Sequence, residues 1–342
     1  MGRYLILVAP AANRVFAGQS TELTAAELQI CGRSVAGPID VGTVTVAGID
    51  YVGFELPGPI TDDLLAVAGR LSATYALFER CDDLLRPVEL ITAERFADDL
   101  VTIPKYQGKT NEQFTRMLIN VTAAAVTRAG DRPLSLLDPL CGRGTTLSVG
   151  LTLGYDVAGV ELDRKAVEAY AAFLKSYFRR KRIKHKAELN PVRREGRSLG
   201  KRLQVEVRPA ASERASELTV FTGDTRKSAA LFGKRRFDLV VTDAPYGVAH
   251  ASTGGPGDHS TRDRSPADLL TEAVPVWAGQ LRSGGALGIS WNTYGLSRED
   301  LISIVERAGL TALDDDHHRR LVHRVDSSIN RDILVAAKPD RR

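Results

Sequence analysis

The chain has 342 residues, 43% apolar and 26% charged, which is material for one well-buried core and room for a second. No apolar run approaches the roughly 20 residues of a membrane helix, and the three scattered cysteines, Cys31, Cys81 and Cys141, make neither a disulfide framework nor a CxxC metal knuckle. A helical membrane protein and a disulfide-stapled module are thereby excluded, a reducing, cytoplasmic setting fits, and the net charge of +4 is too small by itself to name a partner.

The opening MGRYLILVAP has six apolar residues in a row, short for a signal peptide, and reads as a strand over Tyr4–Pro10. A short helix is predicted over Thr24–Cys31 and two strands within Val41–Leu56, around a Gly-Ile-Asp turn. Leu64, Leu65, Val67, Ala68, Leu71 and Tyr75 recur at helical spacing and predict an amphipathic helix over Thr61–Arg80. Leu84–Leu90 reads as a closing strand. Residues 92–110 contain Pro104, Gly108 and several charges and read as a connection. Residues 1–97 are therefore expected to form a small α/β domain, a candidate reduced RNA-binding module, and residues 98–342 a second domain.

That second part alternates strand and helix, the pattern of a mainly parallel sheet covered on both faces. Helices are predicted over Asn111–Arg128, Thr145–Leu153, Arg164–Arg180, Pro266–Leu281 and Arg298–Ala308. Strands are predicted over Ser135–Leu137, Asp156–Glu161, Leu218–Phe221, Phe237–Thr242 and Ala286–Trp291, with two late ones around Leu321–Arg324 and Asp332–Ala337. The order fits a class I, Rossmann-like methyltransferase fold, with seven mostly parallel strands and the last antiparallel.

Three motifs carry chemistry. Asp138-Pro139-Leu140-Cys141-Gly142-Arg143-Gly144-Thr145 lies between a buried strand and a helix. Its glycines let the backbone approach a ligand, and the helix N-terminus behind them offers free N–H groups. The loop lacks the third glycine of a dinucleotide fingerprint, because Leu147 stands there. Some 20 residues on, a strand ends at Glu161, where a carboxylate can accept from both ribose hydroxyls. Asp163 is the neighbouring alternative, or a helix cap. Asp224, after the third strand, is an acceptor for an adenine amino group or a cap.

The most specific motif is Asp243-Ala244-Pro245-Tyr246, closing an apolar strand. Amino nitrogens of bases are weak nucleophiles because their lone pair is delocalised into the ring. The Asp243 carboxylate and the Ala244 carbonyl can both accept from such an NH2 group and turn its lone pair outward. Pro245 stiffens the turn, and Tyr246 offers a ring for stacking on an extruded base.

Taken together, DPLCGRG, GVELD, GD and DAPYG resemble the THUMP-associated RNA methylases, a family of tRNA guanine-N2 methyltransferases whose motif pair is close to DPFCGTG and DPPYG. Gly108-Lys109-Thr110-Asn111, with Arg116 and Asn120 in the helix that follows, is similar to the family's segment before the first motif. The likeness spans about residues 100–340. It implies S-adenosyl-L-methionine (SAM) as cofactor and RNA, tRNA foremost, as partner, and it places Lys109 and Thr110 near the methionine carboxylate. Departures are Ala244 in place of proline, where only the carbonyl is needed, Arg143 in place of a small residue, and an N-terminal part short for the family's paired modules. The expected activity is methyl transfer to an exocyclic amino nitrogen, most simply guanine N2 in tRNA. DNA adenine N6, an rRNA base, and a non-catalytic RNA-binding protein are the alternatives.

From Lys175 to Arg208 stand 13 Lys and Arg against three Glu, which leaves the rest of the chain net negative. Such asymmetry points to a polyanion. Within the insert 179–215, Arg179, Arg180, Lys181 and Arg182 are candidate RNA-binding residues at a charged helix end. Three further features read blandly. Cys141 is a packing residue, and His317, His318 and His323 beside Asp314–Asp316 form a polar turn rather than a metal site. Ser252–Ser265 is either a lid over the target base or a loop without function.

Overall fold

The computed structural model describes residues 2–11, 14–92, 94–127, 132–194, 197–210, 213–245 and 266–340, with only the backbone of 14, 193, 194 and 197–199. Fifteen strands form two sheets among these residues. The small antiparallel sheet contains β1 (Gly2–Val8), β2 (Val41–Val46), β3 (Ile49–Leu56), β4 (Thr74–Cys81) and β5 (Leu84–Val88), in the order β2-β3-β1-β4-β5. Its helices are α1 (Arg14–Ala17), α2 (Ser20–Ala36) and α3 (Asp62–Arg70).

The helix expected over Thr61–Arg80 is thus a helix followed by a strand. After Leu71 the chain turns extended, and the Ser72 N–H donates to the buried Glu27 carboxylate instead of back into the helix. The short helix expected over Thr24–Cys31 is 17 residues long. It is buried on two sides: Ala25 and Leu28 face the small sheet's core, while Leu23, Ala26 and Ile30 join the core of the large sheet. A helix with two partners has no polar stripe to mark its ends.

The connection contains α4 (Asp99–Thr102), and α5 (Glu112–Ala123) follows, capped by the Asn111 side chain at the Gln113 N–H (2.8 Å). The large sheet then runs through β6 (Ser135–Asp138), α6 (Thr145–Thr152), β7 (Asp156–Glu161), α7 (Arg164–Arg180), β8 (Lys184–Arg194), β9 (Arg197–Arg208), β10 (Ser216–Thr222), α8 (Ser228–Phe232), β11 (Phe237–Asp243), α9 (Pro266–Gln280), β12 (Leu281–Asn292), α10 (Arg298–Arg307), β13 (Thr311–Leu313), α11 (Asp316–Arg319), β14 (His323–Arg324) and β15 (Asn330–Ala337). Strand order is β13-β15-β12-β11-β6-β7-β10-β9-β8, with β14 beside β15.

Alternate residues of each strand enter opposite cores. Leu136, Val157 and Val241 pack with α5, α6 and α7; Leu137, Ala158 and Val240 pack with α9 and α10. This double burial explains the nearly continuous apolar runs of β6, β7 and β11.

Two features extend the expected seven strands. Thr311–Leu313 forms a short strand where none was expected, and beyond the charged end of α7 the rest of the basic insert is a long hairpin. Leu203, Val205 and Val207 of β9 alternate buried with exposed Gln204 and Glu206, the period of a half-covered strand. The hairpin adds antiparallel to the β10 edge.

Candidate active site

The motif residues gather at the carboxyl ends of β6, β7, β10 and β11, the edge where open α/β sheets hold ligands. Asp138 ends β6, is 3% exposed, and accepts from the Leu140 N–H and the Thr242 hydroxyl, both at 3.0 Å. Burial, and secondarily the nearby Asp243 carboxylate, lifts its pKa to about 7. Gly142 and Gly144 both adopt positive φ, 51° and 80°. A Cβ on Gly144 would stand 2.4 Å from the Tyr170 ring, so only glycine fits there. Among the described residues, a Cβ on Gly142 would meet nothing within 4 Å, so the backbone there borders space that they leave open. Cys141 is buried against Gly159 of β7, as a packing residue would be, and burial pushes its thiol well up.

Glu161 bridges two backbone amides, accepting from Gly142 N–H at 2.8 Å and Asp163 N–H at 2.7 Å. Burial raises its pKa. Each oxygen retains a lone pair for a further donor. Asp163 caps α7 through the Lys165 N–H. Asp224 lies alongside, because Gly223 N–H bonds the Glu161 carbonyl at 2.9 Å. Its carboxylate caps the turn after β10 and is gripped by Arg226, which holds it below the usual carboxylate range.

At the end of β11, Asp243 is held from two directions. The Ser290 hydroxyl of β12 donates to Oδ1 at 2.8 Å, and the Thr110 hydroxyl donates to Oδ2 at 2.7 Å. Arg331 of β15 comes within 4.0 Å of Oδ2, its guanidinium lying 4.3 Å from the centre of the Phe114 ring. Ala244 is buried, with its N–H on the Ser290 carbonyl (2.8 Å), and Pro245 is exposed. Tyr246 and the Ser252–Ser265 segment lie outside the described residues.

The remaining candidate residues have the following partners. Thr110 stands on Asp243. Lys109 turns to the Val101 carbonyl (2.7 Å) and Glu112 (3.5 Å). The Thr145 hydroxyl bonds Tyr106 OH at 2.7 Å, and Arg143 lies over that ring, 5.1 Å from its centre. Arg179, Arg180, Lys181 and Arg182 stand together at the far end of α7, about 25 Å from its start by helix rise. There Lys181 pairs with Asp99. Among the late histidines, His318 donates to Asp315, which caps α11.

Sequence reading missed Ser290, Arg331 and Tyr106. The polar Asn330-Arg331-Asp332 start of a strand that continues as the apolar ILVAA was a visible signal. Ser290 carried none, since its role depends on β12 lying beside β11.

Leaving aside the β8–β9 hairpin, the order β10-β7-β6-β11-β12-β15-β13, parallel except for β15, is that of the class I SAM-dependent methyltransferase fold. No protein-family model matches the sequence, and no curated protein does. Solved structures of similar fold include TrmN from Thermus thermophilus, at 14% identity and TM-score 0.40, covering 88% of this chain and 60% of that one. The rRNA methyltransferase aviRa from Streptomyces viridochromogenes matches at 16% identity and TM-score 0.40, over 71% of this chain and 91% of its own. A TehB-like SAM-dependent methyltransferase from Corynebacterium glutamicum matches at 17% identity and TM-score 0.37, over 67% and 87%. No helix among the described residues is long and apolar enough to cross a membrane.

Proposed function

We propose that this chain methylates an exocyclic amino nitrogen of an RNA base, with SAM as cofactor and guanine N2 of tRNA as the favoured target. The observation that carries the reading is Asp243 at the carboxyl end of β11, its two oxygens fixed by Thr110 and Ser290, on the same sheet edge as the Asp138–Gly144 loop and Glu161.

The loop suits SAM on its own evidence: backbone at Gly142 beside space that the described residues leave open, a helix N-terminus behind it, and a carboxylate at Glu161 with acceptor capacity left. Asp138, Gly142, Gly144 and Thr145 would border the methionine part, Glu161 the ribose and Asp224 the adenine. SAM supplies an electrophilic methyl group. The chain's part is to orient the acceptor. The Asp243 carboxylate, oriented by the Thr110 and Ser290 hydroxyls, would accept one amino hydrogen, and the Ala244 carbonyl would supply a second acceptor. With both N–H bonds directed, the nitrogen lone pair points away from them. Asp243 then stands within reach of the proton that a methylated amino group releases.

RNA is the proposed partner, and the insert supports it at both edges of the sheet. Arg179, Arg180 and Arg182 are exposed at one, and Arg202 lies beside Phe221 at the other, where Lys201 is paired with Glu168 at 2.8 Å. The small sheet is proposed as a separate domain, 1–97, that helps hold the RNA. The test is methyl transfer from tritiated SAM to total tRNA, rRNA and genomic DNA, followed by nucleoside identification. N2-methylguanosine in tRNA is the expected product. Label only in DNA N6-methyladenine would overturn the RNA reading, and no label in any arm would overturn the enzyme reading.

A further inference from the structure

A cavity of about 690 Å³ lies between the small sheet and the large one, a volume typical of ligand sites. Thr74 and Tyr75 of β4 wall it on one side; Thr110, Asn111 and Arg331 wall it on the other. Thr110 and Arg331 are also the side chains that reach Asp243. The cavity therefore ends against the groups that hold the proposed reaction centre.

Its chemistry is that of a nucleotide path. Tyr75 is 69% exposed on the outward face of its strand, where an aromatic ring gains nothing from the core and offers a π-face to a base. Arg324 of β14 adds an exposed guanidinium to the wall. Two acids in the lining are already matched, Glu94 by Arg116 at 2.5 Å and Glu112 by Lys109 at 3.5 Å. Asp98 also lines the cavity, and next to it a ribose hydroxyl or base amino group is favoured over a phosphate. A duplex cannot enter such a volume, whereas a strand with splayed bases can, and splayed bases are what sequence-specific RNA proteins read.

We propose that this cleft seats a single-stranded RNA segment, one base stacked on Tyr75, a phosphate at Arg324, and the target base directed inward past Thr110 to Asp243. The inference rests on the reading of Asp243 given above, but binding tests it without turnover.

The probe is a fluorescein-labelled RNA hairpin with an open loop, titrated by fluorescence anisotropy against the full chain. Controls are the same sequence as DNA and a blunt RNA duplex. Tyr75→Ala is expected to weaken hairpin-loop RNA binding roughly 5- to 150-fold, to leave SAM affinity unchanged, and to be rescued by Tyr75→Phe. Arg324→Gln should weaken the same complex and flatten its salt dependence. Wild-type affinity in Tyr75→Ala, equal loss in Tyr75→Phe, or preference for the duplex would each overturn the proposal, and equal binding of the DNA would overturn its RNA assignment. If no substrate is methylated yet Tyr75→Ala still weakens RNA binding, the enzyme reading falls and the cleft stands. If methylation proceeds and Tyr75→Ala is silent in binding, the cleft falls and the enzyme reading stands.

Discussion

Strand β11 carries an aspartate near each end, and the two have opposite surroundings. Asp238, at the amino end, is 2% exposed and saturated: Arg132 grips both oxygens at 2.6 and 2.8 Å, and Ser135 donates its N–H and its hydroxyl at 2.8 Å each. Burial pushes its pKa up, but the Arg132 and Ser135 hydrogen bonds together outweigh burial and hold it below the ordinary value. Asp243, at the carboxyl end, is partly open and receives a hydroxyl on each oxygen. A saturated carboxylate ties strands together. One that is part-exposed at the edge of the sheet where ligands bind can serve an incoming group.

The comparison breaks most sharply at Asp243. Asp243→Asn should lower methyl transfer by about 10²–10³-fold, the cost of removing one placed electrostatic partner from a reaction centre, while SAM affinity by calorimetry stays as in the wild type. Asp238→Asn should do the reverse, lowering unfolding free energy by about 2–3 kcal/mol with turnover per folded molecule retained. The wild type should also lose this contribution on acidification. A depressed carboxyl stabilises the fold above its unfolded pKa of about 3.9 and ceases to as pH falls through its lower folded value. Denaturant midpoints between pH 3 and 6 read it, and equal acid sensitivity in Asp238→Asn would remove Asp238 as the source.

Glu161→Ala extends the contrast along the edge. It should weaken SAM by about 1–3 kcal/mol if the carboxylate serves the ribose, and unchanged affinity would take it out of the site. Asp138 adds a pH effect of smaller size. Its pKa, raised to about 7, means the folded chain keeps a proton that the unfolded chain releases near pH 4. Its contribution to stability therefore declines as pH rises from about 4 to about 7. The cationic ammonium of SAM favours the ionised form. SAM affinity should accordingly rise up to about tenfold from pH 6 to pH 8, and Asp138→Asn should abolish the slope.

The smallest effect is expected at the opposite edge. Replacing Arg179, Arg180 and Arg182 by serine should reduce the slope of log affinity for RNA against log salt by up to about 0.7–0.9 for each phosphate left without a cation, with SAM binding and Asp243 chemistry unaffected. Lys181 is spared because it pairs with Asp99. A slope that does not move makes this end a solvated face.

The sequence by itself determined the local devices. The Asp138–Gly144 loop, the acid closing β7 and the Asp243-Ala244-Pro245 turn could be read directly, because each needs only a few adjacent residues and the strand or helix they interrupt. Alternation of strand and helix likewise marked the central strands β6, β7 and β11 of the large sheet, since burial on both faces leaves a run of apolar residues, but not the β8–β9 hairpin or β13. Where a segment answers to two partners, sequence periodicity failed. Helix α2 buries opposite sides in two cores, and the pattern from Leu64 to Tyr75 runs past a helix end that the Glu27 carboxylate fixes from a different helix. Only the tertiary structure decided what meets Asp243. Thr110 and Ser290 lie 133 and 47 residues away along the chain, and Arg331 arrives from the last strand. Strand order brings them together, and strand order is set by how whole elements share a core, which no period of two or 3.6 residues records.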